Sequence, residues 1–267
     1  MTHTAQAVLV TGAGIGIGYA LARSFALAGD NVALNDLDPA VAKAAADTIN
    51  AEAGAERAWA YGLDVADVAA VRAMVAEVDA ELGGLRVAAA VAGLTNYGGF
   101  LDYTPEAFDR LTSVNLRGSY FTAQAAARAM IARGTRGRIL LMSSVTGLAA
   151  FNNLSAYGIT KAAIRHMAST LGLELGPHGI TVNALGPGAI LTERTLGDDP
   201  QLEANWAGVT PTGRVGYVAD VVAAATFLAS PEAAHITGQT LMVDGGWTLA
   251  SPMPQAHPDL PTASKLK

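Results

Sequence analysis

The chain has 267 residues, 17 Lys+Arg against 23 Asp+Glu for a net charge of −6, and is 51% hydrophobic but only 15% charged. So acidic a balance lacks the basic surface that nucleic acid or an anionic membrane needs, while the apolar content is ample for a large core. Cysteine is absent and the five histidines are scattered without HxH or HxxxH spacing, which excludes disulfides and thiolate chemistry and leaves no metal site to expect.

No basic leader precedes Ala7-Val8-Leu9-Val10, and no run of about 20 apolar residues occurs, so a soluble, cytoplasmic protein is expected. Short apolar runs at Ala7–Val10, Asn31–Asn35, Ala58–Leu63, Arg86–Val91, Arg138–Met142, Ile180–Ala184 and Thr240–Val243 read as strands. Helical periodicity falls between them, near 17–28, 39–53, 67–82, 105–133, 155–176 and 218–229. Buried strands alternating with helices predict a doubly wound α/β fold. It has about seven parallel strands, helices on both faces, and a single domain over 1–250. Residues 186–216, rich in Gly and Pro at their start, read as a long loop with a short helix at most, of the kind that serves as a lid. The tail 251–267 carries Pro252, Pro254, Pro258 and Pro261 and reads as extended; a solvated tail and a role in a neighbouring subunit's site both remain open.

The first strand runs into Thr11-Gly12-Ala13-Gly14-Ile15-Gly16-Ile17-Gly18, which opens the first helix. Glycines let backbone approach a pyrophosphate, and a helix N-terminus offers unpaired N–H groups. GxGxxG fails at Ile17; the pattern present is Gly12-x-x-x-Gly16-x-Gly18. Asp36 ends the second strand 24 residues after Gly12, near the spacing of an acid that accepts from ribose hydroxyls. A carboxylate there repels a 2′-phosphate, and no Arg or Lys lies between Val32 and Pro39, so NAD is expected over NADP. Asp38, before Pro39, reads as a helix cap. Asp64-Val65 ends the third strand, where the carboxylate suits either an adenine amine or a cap for the next helix.

Tyr157 and Lys161 stand four apart at the start of a helix, hence on one face. Ser144 lies 13 residues earlier, just beyond an apolar strand, and Asn115 sits in the long segment before it. Ends of strands are where open α/β sheets bind ligands, so four polar groups can converge on one crevice.

With these motifs in order, the sequence resembles the short-chain dehydrogenase/reductase family in its compact form of roughly 250 residues. The match runs from Thr11–Gly18 through Asp36, Asp64-Val65, Asn115, Ser143-Ser144, Tyr157xxxLys161, Asn183–Gly188 and Thr192 to Val243–Gly246. The resemblance implies that Tyr157 is the general acid/base, helped by the neighbouring ammonium. It implies that Lys161 also holds the nicotinamide ribose, that Ser144 bonds the substrate oxygen, and that Asn115 holds a water of a proton relay. It assigns cofactor contacts to Gly12, Ile15, Gly16, Ile17, Gly18, Asp36, Asp64, Val65, Ala92, Gly93, Tyr157, Lys161, Pro187, Gly188, Ile190 and Thr192. Thr192 and the backbone at Ile190 would orient the carboxamide. One departure stands out: Ala90-Val91-Ala92-Gly93 replaces the family's usual Asn-Asn-Ala-Gly, so the bracing Asn side chains are missing and local repacking is expected.

Substrate walls are expected from 94–100, 145–154 and 188–210, with Phe151, Arg194 and Trp206 among them. Asn152 and Asn153 suit a hydroxylated substrate such as a sugar or polyol; an ordinary turn explains them equally. NAD-linked oxidation of such an alcohol is the leading expectation. A 3-oxoacyl thioester reductase and a non-catalytic dinucleotide sensor or scaffold are the alternatives. The resemblance also implies a homotetramer, with helices 105–133 and 155–176 pairing across a two-fold axis and the 240–249 region forming a second interface. The alanines on those helices either permit that approach or merely pack on their own sheet.

Overall fold

The computed structural model describes residues 5–250; the tail 251–267 lies outside the described residues. Nine strands and nine α-helices follow in chain order: β1 (Ala7–Thr11), α1 (Gly16–Leu27), β2 (Asn31–Asp36), α2 (Pro39–Ala53), β3 (Ala58–Gly62), α3 (Val68–Glu81), β4 (Leu85–Ala90), α4 (Pro105–Thr112), α5 (Ser119–Arg133), β5 (Arg138–Met142), α6 (Ser155–Leu175), β6 (Thr181–Pro187), β7 (Ile190–Leu191), α7 (Glu193–Asp198), α8 (Leu202–Ala207), β8 (Gly216–Tyr217), α9 (Val218–Ala229) and β9 (Thr240–Val243). Seven strands form one sheet in the order β3-β2-β1-β4-β5-β6-β9, every neighbouring pair parallel. This is the doubly wound α/β architecture, with the strand order reversing between β1 and β4.

Alternate side chains on each strand divide the core between the two faces. Leu9, Ile139 and Leu141 point to one face, where Val71 and Met74 of α3, Ala126 and Met130 of α5, and Ile164 of α6 cover them. Val8, Val10 and Leu140 point to the other, against Leu21 and Phe25 of α1, Ile49 of α2 and Leu228 of α9. A strand buried on both faces has no polar side to show, which is why these runs read as continuously apolar.

The helical run expected over 105–133 is found unbroken, wound as a π-helical turn at Ser113–Gly118 between α4 and α5. One expectation needs correction. Residues 186–216 are not a loop: they hold α7, α8 and the small parallel pair β7–β8. Thr192 caps α7, exchanging hydrogen bonds with Thr195, so the segment has a helix start that its Gly and Pro content hid. No helix among the described residues is long and apolar enough to cross a membrane.

Candidate active site

The crevice lies at the C-terminal ends of the strands, beginning at the β1–α1 turn. Gly12 is there by necessity: its φ is +62°, and a Cβ would fall 2.6 Å from the Ala92 Cα. Gly18 is equally constrained, because a Cβ would collide with the Gly12 carbonyl oxygen. Above the turn the space is free of protein, since a Cβ on Gly16 would meet nothing nearer than Thr192 Cγ2 at 3.9 Å. Ile15 precedes the helix without capping it by a side chain, and the first turn carries no acid. An open glycine turn at an uncapped helix N-terminus suits a pyrophosphate, so these residues fit a dinucleotide.

Asp36 sits beside that turn at the end of β2, accepting from the Gly14 N–H (3.1 Å) and the Asp38 N–H (3.3 Å). Asp38 caps α2, accepting from the Ala40 N–H at 2.8 Å as expected. The capping alternative for Asp64 is overturned: Asp67 caps α3, accepting from the N–H groups of Ala69 and Ala70. Asp64 instead accepts from the Ala66 N–H and pairs with Arg110 at 2.6 Å. Burial pushes its carboxyl pKa up, but these two partners outweigh it and hold the value below the usual carboxylate range. Val65 next to it is buried against Gly118.

Thr11 braces the strand end where the Asn pair is missing, and Asn35 braces the neighbouring pair β2–β3. Thr11, buried at the end of β1, accepts at Oγ1 from the N–H groups of Val91 (3.1 Å) and Ala92 (3.2 Å). Asn35 donates to the carbonyls of Tyr61 and Leu63, tying β2 to the end of β3. The backbone at Ala92-Gly93 is therefore held in place without the missing side chains.

Asn115 has no exposed surface and sits in the π-helical turn. Its Oδ1 accepts from the Leu94 N–H (2.7 Å), and its Nδ2 donates to the Leu94 carbonyl (2.9 Å) and to Thr160 Oγ1 (3.3 Å). A π-turn re-aims one side chain inward, and such turns recur at functional sites. A Cβ on Gly93 would lie 3.4 Å from both Asn115 Oδ1 and Lys161 Nζ, so these groups share one corner.

Lys161 is 3% exposed, and its ammonium donates to the Met142 carbonyl at 2.8 Å, 5.4 Å from the centre of the Tyr157 ring. Burial pushes the ammonium pKa below the ordinary lysine value; the Tyr157 phenol opposes this, and the Arg194 guanidinium adds to it. Ser143 fixes the same helix to β5 by donating to the Lys161 carbonyl at 2.8 Å. Ser144 is the next residue, extended at φ −167°, with Oγ accepting from the Thr146 N–H at 3.2 Å.

β6 ends at Pro187, and the Gly188 N–H donates to the Val243 carbonyl. Ile190 is buried in β7, and its carbonyl accepts from the Thr195 hydroxyl at 2.8 Å. Thr195 thus joins Thr192 and Ile190 in one unit, a role that the Thr192-x-x-Thr195 spacing signalled. Asn152 and Asn153 are exposed; Asn153 has φ +62°, and its carbonyl accepts from the Gly98 N–H, so Asn153 at least makes a turn. Trp206 packs on Trp247, an aromatic that the sequence reading had passed over.

Residues 12–248 match the family described as Enoyl-(Acyl carrier protein) reductase. A short-chain dehydrogenase/reductase of Armillaria gallica is 40% identical over 90% of this chain and 95% of its own length. A sorbitol dehydrogenase of Cereibacter sphaeroides is 36% identical over 90% of this chain and 96% of its own. Among solved structures, a gluconate 5-dehydrogenase of Burkholderia cenocepacia J2315 in complex with NADP and tartrate is 37% identical. It covers 92% of this chain and 96% of its own, with a TM-score of 0.85.

Proposed function

This chain belongs to the short-chain dehydrogenase/reductase family of oxidoreductases acting on hydroxyl groups, and we propose that it oxidises a sugar or polyol with NAD as its preferred acceptor. The observation that carries the reading is the corner shared by Tyr157, Lys161, Asn115 and Gly93, with Ser144 following the next strand end. In the proposed mechanism the Tyr157 phenolate takes the proton of the alcohol, and Ser144 Oγ steadies the substrate oxygen as its charge changes. The Lys161 ammonium stands 5.4 Å from the centre of that ring. Asn115 holds Leu94 and Thr160 in register behind it, so the corner is rigid before substrate arrives.

Gly12, Ile15, Gly16, Ile17 and Gly18 would receive the pyrophosphate, and Asp36 the adenosine ribose. Asp64 and Val65 would lie at the adenine; Ala92, Gly93, Tyr157, Lys161, Pro187, Gly188, Ile190 and Thr192 would hold the nicotinamide half. When bound, the nicotinamide supplies the hydride acceptor. NAD is favoured over NADP because the Asp36 carboxylate stands beside the turn and Leu37 offers no positive charge to a 2′-phosphate. The polyol class is supported by the sorbitol and gluconate relatives, which act on hydroxylated carbon chains.

The test is nicotinamide absorbance with alditols, aldoses, simple secondary alcohols and a 3-oxoacyl thioester, each run with NAD and with NADP. NAD-linked oxidation of alditols or aldoses is expected, and Asp36→Ala is expected to shift preference toward NADP. Turnover confined to the thioester would replace the polyol reading with the reductase one. Equal or better use of NADP by the native chain would overturn the role of Asp36.

A further inference from the structure

Trp247 belongs to none of the motifs above, yet its indole joins three parts of the crevice. It stacks on Phe151 with ring centres 5.0 Å apart and planes 24° apart, and it meets Trp206 at 5.8 Å and 56°. Phe151 lies on the segment between Ser144 and Tyr157. Trp206 lies on α8, in the same excursion as Thr192 and Thr195. Trp247 follows β9, whose Val243 pairs with Pro187 of β6, so it leaves the sheet at the end where the crevice opens. All three rings keep part of their surface exposed, so they form a wall and not a core.

The indole is held by its own turn. The Asp244 carboxylate accepts from the N–H groups of Gly246 (3.0 Å) and Thr248 (2.8 Å) and from the Thr248 hydroxyl (2.6 Å). The Trp247 N–H donates back to the Asp244 carbonyl, and the Thr212 N–H donates to the Gly245 carbonyl, fastening the turn to the chain that follows α8. Trp247 is therefore a fixed post against which two rings are set, Phe151 just before the Asn152-Asn153 turn and Trp206 on a six-residue helix.

Resting on the polyol reading above, we infer that Trp247 is a positioning residue that sets substrate length: through Phe151 and Trp206 it fixes the distal wall of the crevice. The carbon chain of an alditol presents C–H groups between its hydroxyls, which is the surface an aromatic wall receives. Removing the post lets the wall recede, so longer substrates gain and the shortest lose their fit.

The experiment measures kcat/KM for threitol, xylitol and sorbitol with the native chain, Trp247→Ala and Trp247→Phe. Trp247→Ala is expected to raise the sorbitol-to-threitol ratio about tenfold or more, the scale of one methylene in a packed pocket. Trp247→Phe is expected to restore most of the native ratio. Sorbitol-induced change in tryptophan emission should fall in Trp247→Phe, leaving Trp206 and the distant Trp59 of β3 as background. An unchanged ratio in a folded Trp247→Ala, with the native chain active, overturns the inference and leaves the polyol reading standing. A native chain inactive on all three alditols overturns this inference, and inactivity on the aldoses as well overturns the sugar-or-polyol reading. If Trp247→Ala does not fold, Trp206→Ala reads the same ratio from the other side of the contact, and an unchanged ratio there is equally adverse.

Discussion

At the scale of single residues, Tyr157 and Lys161 were legible because helical geometry converts a spacing of four into a shared face. Asn115 was legible as a residue but not in its setting, since the i to i+5 register of a π-turn leaves no pattern in the sequence. Tyr157→Phe removes only the group proposed to move the proton, and turnover should fall by about 10²–10⁴-fold while cofactor affinity, read by fluorescence titration, stays near native. Near-native turnover would remove the tyrosine from the mechanism. Lys161 allows a prediction with a sign. Its folded-state pKa lies below the unfolded value of about 10.4, so between the two the unfolded chain binds more protons. Stability owed to this residue therefore rises with pH across that window and levels off once the unfolded lysine also loses its proton. Relative to Lys161→Met, which does not titrate, the native chain should gain thermal stability as pH climbs through the lowered folded-state pKa toward the unfolded value of about 10.4. A difference in melting temperature independent of pH would show that burial does not penalise the ammonium.

Among the elements, the strands were found nearly where expected because burial on both faces leaves an uninterrupted apolar run. The excursion between β6 and α9 was misread for the opposite reason: α7 and α8 are six residues each, too short for periodicity to outweigh nearby Gly and Pro. The bracing of β1 to β4 was also hidden, because Thr11 reads as the first letter of a glycine motif. Its hydroxyl oxygen is the acceptor for two N–H groups of the segment beyond β4. Thr11→Val keeps the shape and removes that acceptor, leaving Val91 and Ala92 with unpaired donors beside the turn. A loss of about 1–3 kcal/mol in unfolding free energy is expected, with weaker dinucleotide binding because Ala92 lies against Gly12. Chemical denaturation and cofactor titration measure the two effects. Native values for both would mean that the strand ends are held by the sheet alone.

At the scale of the whole molecule, large exposed side chains offer a partner more surface than the small residues do. Ala123, Ala125, Ala126, Ala127 and Ala168 are buried in the core of their own chain, whereas Ala129 and Ala163 are half-buried and Ala162 is exposed, so only these three have surface to offer a partner. Among the exposed large apolar side chains, two groups offer contact surfaces. One lies along α4 to α6, where Phe108 is 39%, Tyr120 42%, Ile159 59% and Leu173 80% exposed, with Phe100 and Leu101 just before α4. The other lies at the β9 edge of the sheet, where Phe227, Leu241 and Leu249 are exposed and β9 has no further strand beside it among the described residues. Exposed apolar side chains on this scale mark contact surfaces, and an uncovered edge strand invites another chain. Two separate self-complementary surfaces generate D₂ symmetry, so a homotetramer is the expected species. Assembly through this face would be linked to the proposed catalysis, because α6 carries the buried Lys161 and the exposed Ile159. Ile159→Arg should therefore lower the oligomer size in sedimentation velocity at micromolar concentration and reduce activity together. A fully active native species near the monomer mass of 27.2 kDa would show that the site is complete within one chain.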